Sequence, residues 1–181
     1  MRDMGVPYEV VRSSAVEALT GDAAASLAAT NAVAKVRGAV MPAGAPVGAF
    51  VLGTDTLVTY EDRVMGKPAS RDEAVAMITE LSGRTHQVVS GVALQRIGAG
   101  VHVATATTDV TFIELEPAQI QAYLASGEWT DKAGAYGVQG LAGMFVSEVR
   151  GEYSNVVGLP LCLLARLFRE AGFDLLLRQW L

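Results

Sequence analysis

A carboxylate stands inside a run that otherwise asks to be buried, Val51-Leu52-Gly53-Thr54-Asp55-Thr56-Leu57-Val58. Burying an aspartate unpaired is expensive, so Asp55 either has a partner or bonds the backbone of a turn. The next lysine downstream is Lys67, in Gly66-Lys67-Pro68, a loop stiffened by proline; taken alone it reads as a solvated surface lysine. A third cluster runs from Asp131 to Gly140, where glycines at 134, 137 and 140 interleave with Lys132, Tyr136 and Gln139. Glycines let a backbone approach a ligand closely, and a glutamine amide reads a carbonyl or amide edge. The plain alternative is a tight irregular connection. A carboxylate, two lysines and an amide-bearing glycine loop are components that could hold and attack an anionic ligand.

The elements that must position these groups alternate between strand-like and helix-like segments, with no linker, repeat or low-complexity block. Tyr8 to Val11 is a short strand candidate. Asp22 is the expected N-cap of an alanine-rich helix reaching about Val40. After the proline-containing loop Met41 to Pro46, the run Ala49 to Leu52 and the segment Asp55 to Tyr60 read as a buried strand with a polar interruption. Ser70 and Glu73 have capping-box spacing ahead of a helix through Ala74, Met77, Ile78 and Leu81 that stops at Gly83. Thr85 to Ile97 and Val101 to Leu115 flank Gly98 to Gly100 as a long hairpin. Pro117 starts a helix ending near Gly127, and a last apolar helix runs from about Pro160 to Ala171.

With 181 residues, 51% of them apolar, the chain fits one domain with a large core. No run approaches the ~20 apolar residues of a bilayer span, and Met1 to Val10 lacks the order of a secretory signal. A soluble, cytoplasmic protein is expected. The single cysteine, Cys162, is expected in the core. With His86 and His102 as the only histidines there is no zinc-ligand set. His86, opening a strand, reads as structural, and His102 as a surface residue. A net charge of -5 argues against a nucleic-acid surface. A polyanionic substrate would therefore be held locally, by a few lysines and a metal ion.

Taken together, the segments resemble the Maf family of nucleoside-triphosphate pyrophosphatases. The resemblance runs from Gly5-Val6-Pro7-Tyr8-Glu9-Val10-Val11 through the Gly53-Thr54-Asp55-Thr56 strand, Gly66-Lys67-Pro68 and Leu81-Ser82-Gly83-Arg84-Thr85-His86. It continues through Gly127-Glu128, Asp131 to Gly140, and Ser154-Asn155-Val156-Val157-Gly158-Leu159-Pro160-Leu161. The resemblance implies a single elongated α/β domain over 1–181 with a mixed twisted sheet, flanking helices and a cleft between two lobes, similar to Maf and ITPase folds. It also implies a divalent cation, Mg²⁺ or Mn²⁺, and hydrolysis between the α- and β-phosphates. On it, Asp55 is the catalytic carboxylate, Lys67 a phosphate contact, and Glu17 a second acid that helps Asp55 hold metal. Thr56 and Gln139 match the positions of the subgroup acting on dTTP and UTP rather than on 7-methyl-GTP. Lys132 is open to two readings, a contact to the leaving pyrophosphate or an exposed structural lysine, and Tyr136 either stacks or packs.

Departures from the family pattern carry expectations too. Members open with a strand and a Ser-x-Ser-Pro-Arg-Arg-like loop, a helix-N-terminal phosphate site. That strand and loop are expected to be missing here. The acidic pair before the long helix is Val16-Glu17, and the helix lysine falls at Asn31, with Lys35 one turn later. The resemblance therefore also admits a catalytically weak, nucleotide-binding regulator of septum formation, or a structural relic. An edge left open by a missing strand is one that a partner, or a second copy in a homodimer, would cover.

Overall fold

The interrupted apolar run forms one continuous strand, β1 (Phe50–Tyr60), in the computed structural model, which describes residues 1, 4–18, 23–46, 48–61 and 63–181. Around it lie β2 (Arg63–Met65), β3 (Thr85–Arg96), β4 (Val101–Phe112) and β5 (Val146–Arg150), in the order β2-β1-β3-β4-β5. Every pairing among these strands is antiparallel. The α/β class stands, but the sheet is antiparallel where a mixed one was expected. Local connections explain two of the four pairings: Tyr60 reaches Arg63, and Arg96 reaches Val101, over stretches far shorter than the crossover of a dozen or more residues that parallel neighbours need.

Side chains alternate across β1. Val51, Gly53 and Asp55 face α1 (Ala24–Arg37), and Val51 packs with Ala32, Val36 and Ala93. Phe50, Leu52, Thr54, Thr56 and Val58 face the other way. On that second face two apolar clusters lie apart. One joins Phe50, Leu52, Val92 and Leu94 to Leu163, Leu164, Leu167 and Phe168 of α5 (Leu161–Glu170). The other joins Val58, Val88, Val110 and Phe112 to α2 (Arg71–Leu81) and α3 (Pro117–Ala125). Between them runs a polar belt of Thr54, Thr56, Ser90 and Thr108, covered by α4 (Tyr153–Val157). Buried Asn155 of α4 donates to the Val88 carbonyl at 2.9 Å and to Thr108 Oγ1 at 3.0 Å.

Two glycines set how closely α1 approaches. A Cβ at Gly53 would lie 2.7 Å from the Ala32 carbonyl oxygen, and one at Gly91 would overlap the Ala28 carbonyl and the Ala29 amide. Only a bare backbone at both places lets the helix lie on the β1–β3 pair.

Several local expectations hold. Ser70 caps α2, accepting from the Glu73 amide at 3.2 Å, while Glu73 accepts from the Ala69 amide at 2.7 Å. Gly83 stops that helix with φ at 69°, β3 and β4 make the long hairpin, and Pro160 precedes α5. Others are corrected. Tyr8 to Val11 is not a strand: Tyr8 is 51% and Val10 85% exposed, and an extended segment without a neighbour has no ladder to join. Among the described residues, Ser13 forms an isolated bridge with Ala39. Helix α1 ends at Arg37 rather than near Val40, and Ala23 occupies its N-cap without a side-chain bond. Asp22 lies outside the described residues. Cys162 is exposed rather than in the core, because α5 turns Leu163, Leu164, Leu167 and Phe168 inward. Beyond α5 the chain closes in a small hairpin, β6 (Phe173–Asp174) with β7 (Gln179–Trp180). Among the described residues no helix is long and apolar enough to cross a membrane.

Candidate active site

Asp55 is 7% exposed and faces α1 from the middle of β1. Its two oxygens have different partners. Oδ1 takes the Lys35 ammonium at 2.7 Å, and Oδ2 accepts from the Asn31 amide at 3.0 Å. Asn31 and Lys35 are four apart, hence on one helical face, and the glycine contacts press that face onto the strand. Burial of the carboxylate is thus matched by a charge and a hydrogen bond, as its cost requires.

The Lys35 ammonium is met by three oxygens, two as hydrogen-bond acceptors and one as an ion-pair partner. Besides Asp55 these are the Thr54 carbonyl at 3.2 Å and Glu17 Oε1 at 3.3 Å. Glu17 arrives on an extended segment stapled to α1. The Ala18 amide donates to Asn31 Oδ1 at 2.8 Å, Asn31 donates back to the Ala18 carbonyl at 3.1 Å, and Ser13 donates to the Lys35 carbonyl at 3.0 Å. Asn31 therefore fixes the strand carboxylate and the segment bearing the second carboxylate at once.

The opposite wall is the glycine-rich loop, and its anchoring is specific. The Gly134 amide donates to the Gly66 carbonyl at 3.1 Å, tying the Lys67 loop to the Lys132 loop. Tyr123 donates to the Ala135 carbonyl at 3.1 Å, and the Tyr136 hydroxyl shares a 2.8 Å hydrogen bond with His86 Nε2. Both tyrosines are buried, which pushes Tyr123 up to about 12 and Tyr136 higher still. Each stays a neutral anchor. Burial pushes His86 down to about 4, so the imidazole is neutral as well, and among the described residues its Nδ1 has no partner. The structural role read for His86 is the one observed, and Tyr136 packs through its ring and is held by its hydroxyl. Farther along the loop, Glu128 accepts from the Leu141 amide at 2.7 Å, and a Cβ at Gly140 would overlap the Glu128 carboxylate.

Between these walls is a cleft of about 690 Å³ lined by Glu17, Asp55, Thr56, Lys67, Lys132 and Gln139, the six residues singled out from the sequence. Lys67, Lys132 and Gln139 are exposed on its rim. Thr56 enters from the other face of β1, and its hydroxyl is engaged. It shares a 2.8 Å hydrogen bond with Ser90 and lies 3.5 Å from the Gly158 carbonyl, to which Thr54 donates at 3.1 Å.

Lys35, Asn31 and Glu128 also belong to this arrangement, and residue-type reasoning gave them no role. The four-residue spacing of Asn31 and Lys35 was a usable signal; nothing local marked Glu128 as the brace of Gly140. Asp55, Glu17 and the Thr54 carbonyl converge on one point, a hard oxygen set of the kind that holds Mg²⁺ or Mn²⁺ together with water and phosphate oxygens. Among the described residues no three histidine, cysteine or acidic side chains converge on a metal position.

The family described as Maf-like protein matches residues 1–171. The chain is 43% identical over 176 residues to the dTTP/UTP pyrophosphatase of Symbiobacterium thermophilum, spanning 97% of this chain and 89% of that protein. It is 40% identical over 161 residues to the Alcanivorax borkumensis protein of the same name, covering 89% and 83% of the two. With that of Thermococcus gammatolerans it shares 48% over 132 residues, 73% and 70% of the two chains. A match over nearly the whole chain, on a fold that brings residues of the segments 53–56, 66–68, 127–128, 131–140 and 154–161 to one cleft, places this protein in the Maf family.

Proposed function

We propose that this chain is a nucleoside-triphosphate pyrophosphatase, a single domain that hydrolyses dTTP or UTP to the monophosphate and pyrophosphate. The observation that carries the reading is Asp55, a buried, charge-compensated carboxylate opening onto a cleft whose rim bears Lys67, Lys132 and Gln139. The relatives' shared name supplies the substrate class.

Water attacks the α-phosphorus, the bond from that phosphorus to the α,β-bridging oxygen breaks, and pyrophosphate leaves with the electron pair. The attacking water gives up a proton while charge builds on the phosphoryl oxygens, so the site needs a base and fixed positive charge. Asp55 takes the proton. Lys67 faces the phosphates, and Lys132 receives the leaving pyrophosphate, the two kept in register by the Gly134–Gly66 hydrogen bond. A divalent cation, held by Asp55 and Glu17, would neutralise phosphate charge and acidify the water. The Gln139 amide both donates and accepts, and so matches a pyrimidine carbonyl and its neighbouring N–H. Thr56 shapes the base side through Ser90 and Gly158.

The test is pyrophosphate release from dTTP, UTP, CTP and 7-methyl-GTP with Mg²⁺ or Mn²⁺. Preferential turnover of dTTP and UTP is expected. Equal turnover of all four would remove the base-reading role, and tight binding without release would replace the enzyme with a nucleotide-binding regulator.

A further inference from the structure

The Lys35 ammonium occupies the point where a divalent cation would be held. It donates to Asp55 Oδ1 at 2.7 Å and to the Thr54 carbonyl at 3.2 Å, and forms an ion pair with Glu17 Oε1 at 3.3 Å. These are a carboxylate, a carbonyl and a second carboxylate, the oxygen donors a hard cation takes. The other oxygen of Asp55 is turned to Asn31. Only the root of the Lys35 side chain is held by packing, since α1 lies on Gly53 with the Lys35 Cβ among the atoms nearest a Cβ placed there.

We infer that Lys35 is a built-in counter-cation that keeps the metal position filled in the free protein, so that free divalent metal is a weak ligand. The inference rests on the pyrophosphatase reading only for what displaces it. An ammonium is a compact single charge on a flexible stem. It can leave two carboxylates when a cation of higher charge arrives on a triphosphate, because the phosphate oxygens offer the ammonium a new partner. A free aqueous cation brings no such partner, and its uptake leaves the ammonium facing like charge. The chain thus favours the metal–nucleotide complex over sequential loading. It also keeps Asp55 and Glu17 from repelling each other while the cleft is empty.

The test is a titration of the full chain with Mn²⁺ alone, following free Mn²⁺ by electron paramagnetic resonance, which needs no turnover. Failure to hydrolyse dTTP or UTP would overturn the substrate reading and leave this measurement intact. Lys35→Gln, which keeps an N–H donor but removes the charge, should bind Mn²⁺ at least about tenfold more tightly than the native chain. Lys35→Arg, which keeps the charge, should bind as weakly as native. Adding Glu17→Gln to Lys35→Gln should abolish the gain, locating the ion between the two carboxylates. The inference is overturned if native and Lys35→Gln chains bind Mn²⁺ equally. It is overturned equally if the gain survives in the double variant, because the ion then sits elsewhere.

Discussion

Acidification should destabilise this protein through one imidazole. His86 is 2% exposed, and its ring meets Phe112 and Tyr136 edge-on at 4.9 and 5.4 Å. Burial lowers it from the ordinary 6.5 to about 4. Because the folded value is the lower one, the folded state binds fewer protons between about pH 4 and 6.5, so stability is complete above that window and falls as pH drops through it. At about 1.4 kcal/mol per pH unit, the interval corresponds to about 3 kcal/mol. That is a large part of the roughly 5–15 kcal/mol that holds a domain folded. Urea unfolding would be measured from about pH 7.5 down to about 4.5 for the native chain and for His86→Phe, which keeps an aromatic ring beside Phe112 but cannot titrate. Phenylalanine leaves the Tyr136 hydroxyl without its partner, a cost of about 1–3 kcal/mol that is the same at every pH. The native curve should therefore converge on that of the variant as pH falls, while the carboxylates common to both cancel. Parallel curves would refute the account, since the proton would then be binding somewhere other than His86.

Three further outcomes follow from the cleft. Asp55→Asn should lower pyrophosphate release by about 10² or more with the fold retained, read as kcat at saturating dTTP, because an amide cannot take the proton; unchanged kcat would move the base elsewhere. Gln139→Glu should reduce kcat/KM for UTP by about tenfold or more relative to CTP, since a carboxylate has no N–H to offer a pyrimidine carbonyl; an unchanged ratio would take the base away from this loop. Gly91→Ala should cost about 1–3 kcal/mol or more in urea unfolding, because the added methyl drives α1 off the sheet, and it should lower activity in the folded fraction as Asn31 and Lys35 lose Asp55.

Legibility in the sequence tracked how local the physics was. The α2 cap at Ser70 and the turn of the β3–β4 hairpin depend on residues within a few positions of one another, and both are found where the pattern puts them. Tyr8 to Val11 has the composition of a strand, but a strand is a property of two segments, and its neighbour is not encoded in those four residues. Cys162 was misplaced for a related reason: a cysteine's habit of burial is an average, whereas α5's own period of apolar residues decided which way position 162 points.

The site divides along the same line. Asp55 could be noticed because a charge in an apolar run violates the local pattern, and a violated pattern needs compensation from outside the segment. Its compensation comes from Asn31 and Lys35, 24 and 20 residues away in sequence on a helix whose approach is set by two glycines on two strands. No window containing Asp55 includes them. The family lysine is expected one turn earlier, at the position Asn31 takes; here the amide at that position and the ammonium one turn on divide the two carboxylate oxygens between them. A positive charge stands beside the aspartate although Asn31 takes the place where the resemblance puts a lysine, because a lysine stem spans a helical turn and an i, i+4 pair shares one face. A comparison position by position sees a lost lysine; the geometry shows the charge delivered from the next turn.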